Sequence, residues 1–265
     1  MAARRIPVYP VYNVFDHTPL ALGMIFSFAR SYKGGVLRDA YDFKPAASSN
    51  ILRTLGGTRD TSVFLCSDYI WSSAHNLKTS QAVKRLNPGA ITIHGGPHVP
   101  KYVDTCQSFL RQNPYVDIAI RGEGELTIAA LLEQLANHPR EYKENDRSFL
   151  SNVRGITYRD GDRFVRTEDR PRVQEVDSLP SPYLTGEFRD KDAKYWDGAI
   201  LETNRGCPYG CTFATGGRRH FRRYGNLPSR GSRPKSNGPH GTNLACGFSR
   251  MQTLVFSRVM SASLR

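Results

Sequence analysis

The fold of this chain is constrained most by an alternation of short apolar runs with helical segments over residues 1–140. Five runs rich in β-branched and aromatic residues have the length of strands, namely 7–15, 36–43, 61–67, 90–94 and 116–120. The segments between and after them have helical spacing or helix-capping residues, namely 19–32, 48–55, 74–86, 102–111 and the stretch containing Ile128, Leu131, Leu132 and Leu135. Strands that alternate with helices form parallel sheets with right-handed crossovers. The sequence therefore predicts an α/β domain with a doubly wound, five-stranded parallel sheet of the Rossmann or flavodoxin type.

Ligands bind such sheets at the carboxyl ends of the strands, so the loops that follow the strands are candidate binding loops. Glycine in these loops lets the backbone approach a flat ligand closely. The candidate residues in four loops are Thr18, Pro19, Leu20, Ser67, Asp68, Tyr69, Gly95, Gly96, His98, Gly122, Glu123 and Gly124. In any one loop the glycines are explained as well by turn geometry, and His98 by ordinary polar contacts. Because all four loops meet at one edge of the predicted sheet, together they favour a ligand site.

The chain changes character after residue 140. Residues 141–198 have the composition of a linker and contain a predicted β-hairpin, in which 153–158 and 163–167 alternate around Asp160 and Gly161. An apolar run at 199–201 then predicts a further strand. The predicted boundaries are 1–140 for the α/β domain, 141–198 for the linker, 199–213 for the start of a second domain and 214–265 for a tail.

A glycine-punctuated loop after this strand holds Cys207 and Cys211 at a spacing of Cys-x3-Cys, with Phe213 just beyond. Three thiolates on one loop can hold a 4Fe-4S cluster and leave its fourth iron open. The full spacing for such a loop is Cys-x3-Cys-x2-Cys, and the third position here is Ala214. Two cysteines alone are explained equally well as incidental or buried thiols.

Residues 202–213, which read ETNRGCPYGCTF, resemble the cluster loop of radical S-adenosylmethionine (SAM) enzymes. More narrowly, they resemble the subfamily with an N-terminal cobalamin-binding domain, in which the loop usually continues as Cys-Asp-Trp-Gly. The phrases HGGPHVP and DIAIRGEGELT are similar to the last two strand-to-helix turns of that cobalamin domain. By this resemblance the twelve candidate residues of the four loops contact cobalamin. Cys207 and Cys211 match two of three cluster ligands, and Phe213 matches the aromatic neighbour of the SAM nucleoside.

The resemblance covers roughly residues 6–213 and implies an activity. In the family, SAM binds the open iron and one electron releases a 5′-deoxyadenosyl radical, while cobalamin carries a methyl group to an unreactive carbon of a small-molecule or peptide substrate. Many cobalamin domains contain Asp-x-His-x-x-Gly, whose histidine binds cobalt, but Asp16 and His17 have the wrong spacing. We therefore expect cobalamin to bind without a histidine as its lower ligand.

Two functions are compatible with this resemblance. The first is the cobalamin-binding part of a radical SAM methyltransferase that is catalytically inactive in this chain, because the third cluster cysteine and a barrel of about 200 residues are missing. The alternative is a stand-alone cobalamin carrier or sensor without iron-sulfur chemistry. Five cysteines without a disulfide-type spacing, together with no signal peptide or membrane span in the sequence, predict a cytoplasmic protein. No partner protein is identifiable from the sequence.

Residues 214–265 differ from the rest of the chain in charge. They contain ten Lys or Arg and no Asp or Glu, so most of the net charge of +13 belongs to this tail. Gly, Ser, Pro and Arg make up half of its residues, which is typical of disordered segments. A cationic segment without regularly interleaved aromatic residues binds nucleic acid only in a salt-sensitive, sequence-blind way. We predict a disordered tail and no specific nucleic-acid partner.

A frameshift explains both Ala214 and the tail. The family's Phe-Cys-Asp-Trp-Gly is encoded in a GC-rich gene as TTC TGC GAC TGG GGN. Loss of the T that opens the cysteine codon gives TTC GCG ACT GGG GN, which translates as Phe-Ala-Thr-Gly and, where N is G, Gly. Residues 213–217 read FATGG. We therefore expect the chain to be truncated or frameshifted after Phe213, in the gene or in its sequencing.

Overall fold

The computed structural model describes residues 5–12, 17–45, 61–188, 198–202 and 205, and the backbone of 254–257. The strands are β1 (Ile6–Val11), β2 (Tyr41–Phe43), β3 (Val63–Ser67), β4 (Ile91–Gly95), β5 (Ile118–Ile120), β6 (Ile156–Asp160), β7 (Arg163–Arg166), β8 (Gly198–Leu201) and β9 (Leu254–Ser257). The helices are α1 (Leu20–Ser31), α2 (Leu37–Ala40), α3 (Ser73–Leu86), α4 (Val103–Gln112), α5 (Gly124–Asn137) and α6 (Pro139–Lys143). Single 3₁₀ turns occupy Tyr32–Gly35, Ser148–Asn152 and Val176–Ser178.

The main sheet has the strand order β2-β1-β3-β4-β5-β6-β7. Strands β1 to β5 pair in parallel, whereas β6 and β7 pair antiparallel. The order 2-1-3-4-5 is that of flavodoxin-like doubly wound sheets, in which the direction of strand addition reverses between β1 and β3. The prediction of an α/β fold with a mostly parallel, Rossmann-like sheet is confirmed.

The sheet has seven strands rather than the predicted five, because the hairpin assigned to the linker joins it. Ile118 of β5 pairs with Tyr158, and Ile120 pairs with Ile156. All three residues of β5 are buried, so an unpaired β5 would expose backbone hydrogen-bonding groups beside an apolar strand. Pairing with β6 satisfies these backbone groups of β5.

The segment predicted as a strand at 36–43 is helical in its first half. Helix α2 buries Leu37, and Tyr41, which follows the helix as the first residue of β2, is also buried. Only Tyr41–Phe43 then pairs with β1. The predicted helix at 48–55 and the end of the first strand at 13–15 lie outside the described residues.

The core lies on both faces of the sheet, as the pleat requires. Val8 and Leu65 point towards α1 and α5 in the larger cluster, while Tyr9 and Phe64 point to the opposite face and stack with ring centroids 5.0 Å apart. Burial on both faces explains why β3 is apolar throughout rather than alternating. Tyr41 donates a hydrogen bond of 2.7 Å to the Leu132 carbonyl and links β2 to α5.

Strand β8 pairs antiparallel with β9, with Gly198 opposite Ser257 and Leu201 opposite Leu254. These four residues of β9 are the described part of the 214–265 tail, and they form a strand. The rest of the tail lies outside the described residues, so its predicted disorder stays a prediction. Among the helices that the structure describes, none has the length and apolarity to cross a membrane.

Candidate functional site

The loops after β3 and β4 lie against each other at the carboxyl edge of the sheet. Ser67 is in register with Gly95 at the ends of the two strands. The Asp68 amide donates to the Gly95 carbonyl at 2.7 Å, and the His98 amide donates to the Asp68 carbonyl at 3.1 Å. Two of the four predicted loops are thus joined directly, as the parallel topology predicted.

Glycine is required at Gly96 by the approach of these two loops. Its φ is +109°, and a Cβ there would lie 2.6 Å from the Asp68 carbonyl oxygen. Gly122, in the loop after β5, has φ +76°, and a Cβ added there would have no atom within 4 Å. Gly96, His98 and Gly122 are exposed, so this edge offers open backbone to a ligand.

An aromatic turn, residues 69–71, projects from the loop after β3. The rings of Tyr69 and Trp71 stack with centroids 4.9 Å apart and planes 11° apart. Trp71 is 59% exposed and Ile70 is 76% exposed. The Ser72 hydroxyl accepts from the Tyr69 amide and donates to the Ser67 carbonyl. Tyr69 was predicted from the sequence as a candidate residue, whereas Ile70 and Trp71 were not, although two large apolar residues in a polar turn are a signal for a binding surface.

Thr18, in the loop after β1, is buried beneath β8 rather than open to a ligand. Its amide donates to the Gly198 carbonyl at 3.2 Å, and its hydroxyl accepts from the Ile200 amide at 3.2 Å. The Tyr183 hydroxyl lies 2.7 Å from the Thr18 hydroxyl and donates to the Ile200 carbonyl at 2.6 Å. Thr18 therefore fastens β8 to the sheet edge. Pro19 and Leu20 are half-buried at the start of α1.

Two residues after β5 are also engaged within the chain. A Glu123 carboxylate oxygen accepts from the Val173 amide at 2.7 Å. A Cβ at Gly124 would lie 2.9 Å from the Ile25 side chain. Of the candidate residues, Gly96, His98 and Gly122 are exposed, and Tyr69 and Gly95 are half-buried. Thr18 is buried, and Glu123 and Gly124 contact other parts of the chain.

Residues 198–202 and Arg205, here called the crossing segment, run along the carboxyl edge. Gly198 meets Thr18 after β1, and the other end meets the start of α5. Arg205 donates to Glu125 at 2.5 Å and to Glu202 at 2.9 Å. Burial by itself would lower the pKa of Arg205, but Glu125 and Glu202 outweigh burial and raise it. The described residues of the segment therefore contact this edge on the β1 side and on the β5 side.

Glu202 also acts on the aromatic turn. Burial raises the pKa of the Tyr69 phenol, and the negative charge of Glu202 raises it further. Tyr69 is therefore a neutral hydroxyl at physiological pH. The predicted cluster and SAM residues, Cys207, Cys211, Phe213 and Ala214, lie outside the described residues, and their roles stay predictions.

Beneath the aromatic turn lies a chain of buried polar side chains, here called the buried network: Cys66, Asp68, Asn76, Ser80 and His94. His94 Nδ1 is 2.7 Å from Asp68 Oδ2, and His94 Nε2 is 2.8 Å from Ser80 Oγ. Asn76 donates to Asp68 Oδ1 at 2.7 Å. Cys66 Sγ is 3.5 Å from Ser80 Oγ.

The order Ser80, His94, Asp68 is that of a hydrolase triad, but the network is not catalytic. Ser80 and Asp68 are each 1% exposed and His94 is 0% exposed, so a substrate carbonyl cannot reach the serine. Burial would lower the pKa of His94, and Cys66 together with Asp68 outweighs burial and raises it to about 10. His94 is therefore an imidazolium, whose Nδ1 faces Asp68 and whose Nε2 faces Ser80. Asp68 was predicted as a ligand contact, and in the structure its carboxylate points into the core towards Asn76 and His94.

The opposite, amino edge of the sheet contains a cavity of about 80 Å³ lined in part by Asp117, Arg147, Tyr158 and Arg159. Ligand pockets for drug-sized molecules have volumes of about 300–1,000 Å³, so this cavity is far too small for a large flat ring. The open carboxyl edge is the candidate site.

The chain is similar to named methyltransferases. It is 32% identical over 215 residues to a 2-(S-pantetheinyl)-carbapenam-3-carboxylate methyltransferase from Streptantibioticus cattleyicolor, an alignment that covers 77% of this chain and 29% of that protein. It is 31% identical over 228 residues to the cobalamin-dependent radical SAM methyltransferase TokK from Streptomyces tokunonensis, covering 82% of this chain and 31% of TokK.

A third similar protein has a different name. It is the anaerobic magnesium-protoporphyrin IX monomethyl ester cyclase from Synechocystis sp., which is 33% identical over 157 residues, covering 57% of this chain and 28% of the cyclase. The chain spans about a third of the length of the curated relatives it matches. No protein-family model matches it. The relatives support the resemblance to cobalamin-dependent radical SAM methyltransferases.

Proposed function

We propose that this chain binds cobalamin at the carboxyl edge of its sheet, as part of a protein related to the cobalamin-dependent radical SAM methyltransferases. One observation carries the proposal: the exposed backbone at Gly96 lies against Asp68, which directly precedes the stacked pair of Tyr69 and Trp71. Gly122 is exposed at the end of the neighbouring strand β5. The similarity to TokK, which is named for cobalamin dependence, supports it.

The site fits a large ring with apolar faces and an amide-bearing rim. Tyr69 and Trp71 supply aromatic side chains, and the exposed glycines Gly96 and Gly122 let the backbone approach the amide groups on the ring. When bound, cobalamin supplies a cobalt ion that can carry a methyl group. The chain's own residues hold and orient the ring, and the crossing segment limits the access of water from one side.

The cobalt would not take His94 as a ligand. Asp68 and Ser80 occupy both ring nitrogens of His94, and the ring is fully buried. Releasing either nitrogen would leave a buried polar group without a partner, which costs about 1–3 kcal/mol. The predicted binding without a histidine as lower ligand therefore remains our proposal.

Titration of purified protein with hydroxocobalamin under visible absorbance tests this function. We expect a saturable shift with one ligand per chain. Gly122→Leu should weaken binding, since its side chain enters the open edge. Gly161→Leu is the matched control, because Gly161 also has positive φ and no atom within 4 Å of its Cβ position but lies in the β6–β7 turn. Equal affinities in both variants, or no binding by the wild type, would contradict the proposal.

We further propose that this chain forms no stable iron-sulfur cluster and cleaves no SAM. Cys207 and Cys211 supply two thiolates, while the methyl side chain of Ala214 cannot bind iron. Anaerobic reconstitution should give little 4Fe-4S absorbance in the wild type and more in Ala214→Cys. Stoichiometric cluster with SAM cleavage by the wild type would overturn this part of the proposal.

Ala214 also favours the alternative of a cobalamin carrier or sensor, which needs the same edge and no cluster. The sequence of the coding DNA separates the two. If the adjacent reading frame continues with Cys-Asp-Trp-Gly and a barrel, residues 214–265 are an out-of-frame tail of an enzyme gene. If that frame soon meets stop codons, Ala214 is a true substitution and the carrier or sensor is favoured. The first two alignments cover 77% and 82% of the chain, shares compatible with similarity that ends near Phe213.

A further inference from the structure

The buried network fills the space between β3, β4 and α3 with polar side chains, whose removal from water costs free energy. Asp68 and His94 are a charged pair that is almost fully buried, with relative exposures of 1% and 0%. Such pairs add little net stability, and apolar residues of similar volume often serve as well or better. Net stability therefore does not account for the network, and the residues that it holds in place do.

What it holds is the residue from which the aromatic turn starts. Both carboxylate oxygens of Asp68 are taken, one by Asn76 and one by His94. Its amide and carbonyl are also taken, by Gly95 and His98. Asn76 donates in addition to the Ser67 carbonyl at 2.9 Å. Every polar group of Asp68 is thus fixed, and Tyr69 follows it directly.

We propose that Asp68, His94 and Ser80 are positioning residues that hold the aromatic turn in its binding conformation before the ligand arrives. This inference rests on the proposed binding of cobalamin at the same edge. The network touches no ligand, because all three side chains are buried. It acts through the backbone, since a turn that is already ordered loses less conformational entropy on binding.

Asp68→Asn tests the inference with little change in shape. The substitution keeps the size of the side chain but removes the negative charge that faces His94 and replaces one acceptor oxygen with an NH₂ donor. Asp117→Asn is the matched control. Asp117 accepts from the Thr92 amide at 2.8 Å and pairs with Lys84 of the same helix α3, but at the amino edge.

Two properties are measured in a Trp196→Phe background, which leaves Trp71 as the single tryptophan. The first is acrylamide quenching of Trp71 fluorescence in ligand-free protein, which reports the order of the turn. The second is the Kd for hydroxocobalamin. We expect Asp68→Asn to increase quenching and to raise Kd at least about tenfold. Asp117→Asn should change neither quantity. Thermal unfolding identifies conditions in which both variants are folded.

The outcomes separate this inference from the proposed function. If the background protein does not bind hydroxocobalamin, the proposed function fails, and quenching of ligand-free protein still decides whether the network orders the turn. If Asp68→Asn equals Asp117→Asn in both measurements, the inference is overturned. If Asp68→Asn does not fold, Ser80→Ala is used instead, which removes only the hydroxyl that contacts His94. A smaller increase in quenching and in Kd supports the inference, and no change in either refutes it.

Discussion

The amino and carboxyl edges of the sheet both contact helix α3 through polar side chains, but these contacts differ in how far they are buried. At the amino edge, Lys84 pairs with Asp117, and their side chains are 22% and 20% exposed. At the carboxyl edge, Asn76 and Ser80 connect to Asp68 and His94, which are almost fully buried. The amino-edge pair joins one strand to one helix in partial contact with water. The carboxyl-edge network instead fixes the start of a loop, and we propose that this loop is held ready for a ligand.

The largest expected effect comes from breaking the charged pair of the carboxyl edge. His94→Leu leaves the Asp68 carboxylate buried without its charge partner, which should lower the free energy of unfolding by about 3–5 kcal/mol. Lys84→Met is the amino-edge counterpart and should cost about 1 kcal/mol, because Asp117 stays partly hydrated and keeps the Thr92 hydrogen bonds. Urea denaturation measures both. Equal losses in the two variants would show that the edges do not differ as described.

A smaller loss is expected when a methyl group is inserted between the two carboxyl-edge loops. Gly96→Ala places a Cβ 2.6 Å from the Asp68 carbonyl oxygen at φ +109°, and we expect a loss of about 2–3 kcal/mol. Gly161→Ala at the amino edge has positive φ without any close atom, so strain alone should cost about 1 kcal/mol. The difference between the urea midpoints of the two variants reports the cost of the close contact with the Asp68 carbonyl oxygen. Equal midpoints would show that this contact costs nothing.

The pH dependence of stability should also come from the carboxyl edge. The pKa of His94 is about 10 in the folded protein, against an ordinary value of 6.5. The unfolded chain therefore binds fewer protons than the folded one between these values, and stability falls as pH rises. Below pH 6.5 the contribution is fully present, and it is lost as pH passes through about 10.

We expect a decline of roughly 1 kcal/mol per pH unit between pH 7 and 9. The groups that face His94 are Asp68 from the loop after β3, Ser80 from α3 and Cys66 from β3. The measurement is urea denaturation across this range, with His94→Gln as the comparison. A wild-type profile as flat as that of His94→Gln would contradict a protonated His94.

The smallest effect is expected at the end of the crossing segment. Arg205→Met leaves Glu125, whose side chain is 6% exposed, without its partner. The cost should be only about 1 kcal/mol, because Glu125 lies in the first turn of α5, where the helix dipole stabilises a negative charge. Arg163 is its amino-edge counterpart, with a 3.8 Å contact to Asp160 and a side chain 84% exposed, and Arg163→Met should have no measurable effect. Thermal unfolding measures both variants. The double variant with Glu125→Gln and Arg205→Met, compared with the two single variants, measures the interaction energy between Arg205 and Glu125.

The sequence predicted the local parts of this edge well. Strands β1, β3, β4 and β5 and the glycines after β4 and β5 follow from apolar runs and turn residues, which are signals that lie within a few positions of each other. The close approach of Gly96 to Asp68 was not visible, because it depends on the spacing of two parallel strands. A histidine within the apolar run of β4 was a usable signal for His94, since a polar side chain there must find a buried partner.

Contacts over long sequence separations escaped prediction for a different reason. The bond from the Ile200 amide to Thr18 spans 182 residues, and no periodicity reports such a pairing. The same holds for Arg205 and Glu125. The addition of β6 and β7 to the sheet was missed because a hairpin looks alike whether it stands alone or covers an exposed strand edge. The domain boundaries and the roles of Cys207, Cys211 and Phe213 stay predictions.

The attachment of β8 to Thr18 has a consequence for the rate of ligand capture. The crossing segment contacts the carboxyl edge beside β1 and again beside β5, whereas Gly96 and His98 after β4 are exposed. A large ring must therefore slide in past the β4 loop or wait for the segment to lift. In the second case, the observed association rate levels off at high ligand concentration, at the opening rate of the Thr18, Tyr183 and Ile200 hydrogen bonds. Tyr183→Phe, which removes the hydrogen bonds of the Tyr183 hydroxyl to Thr18 and Ile200, would then raise that plateau.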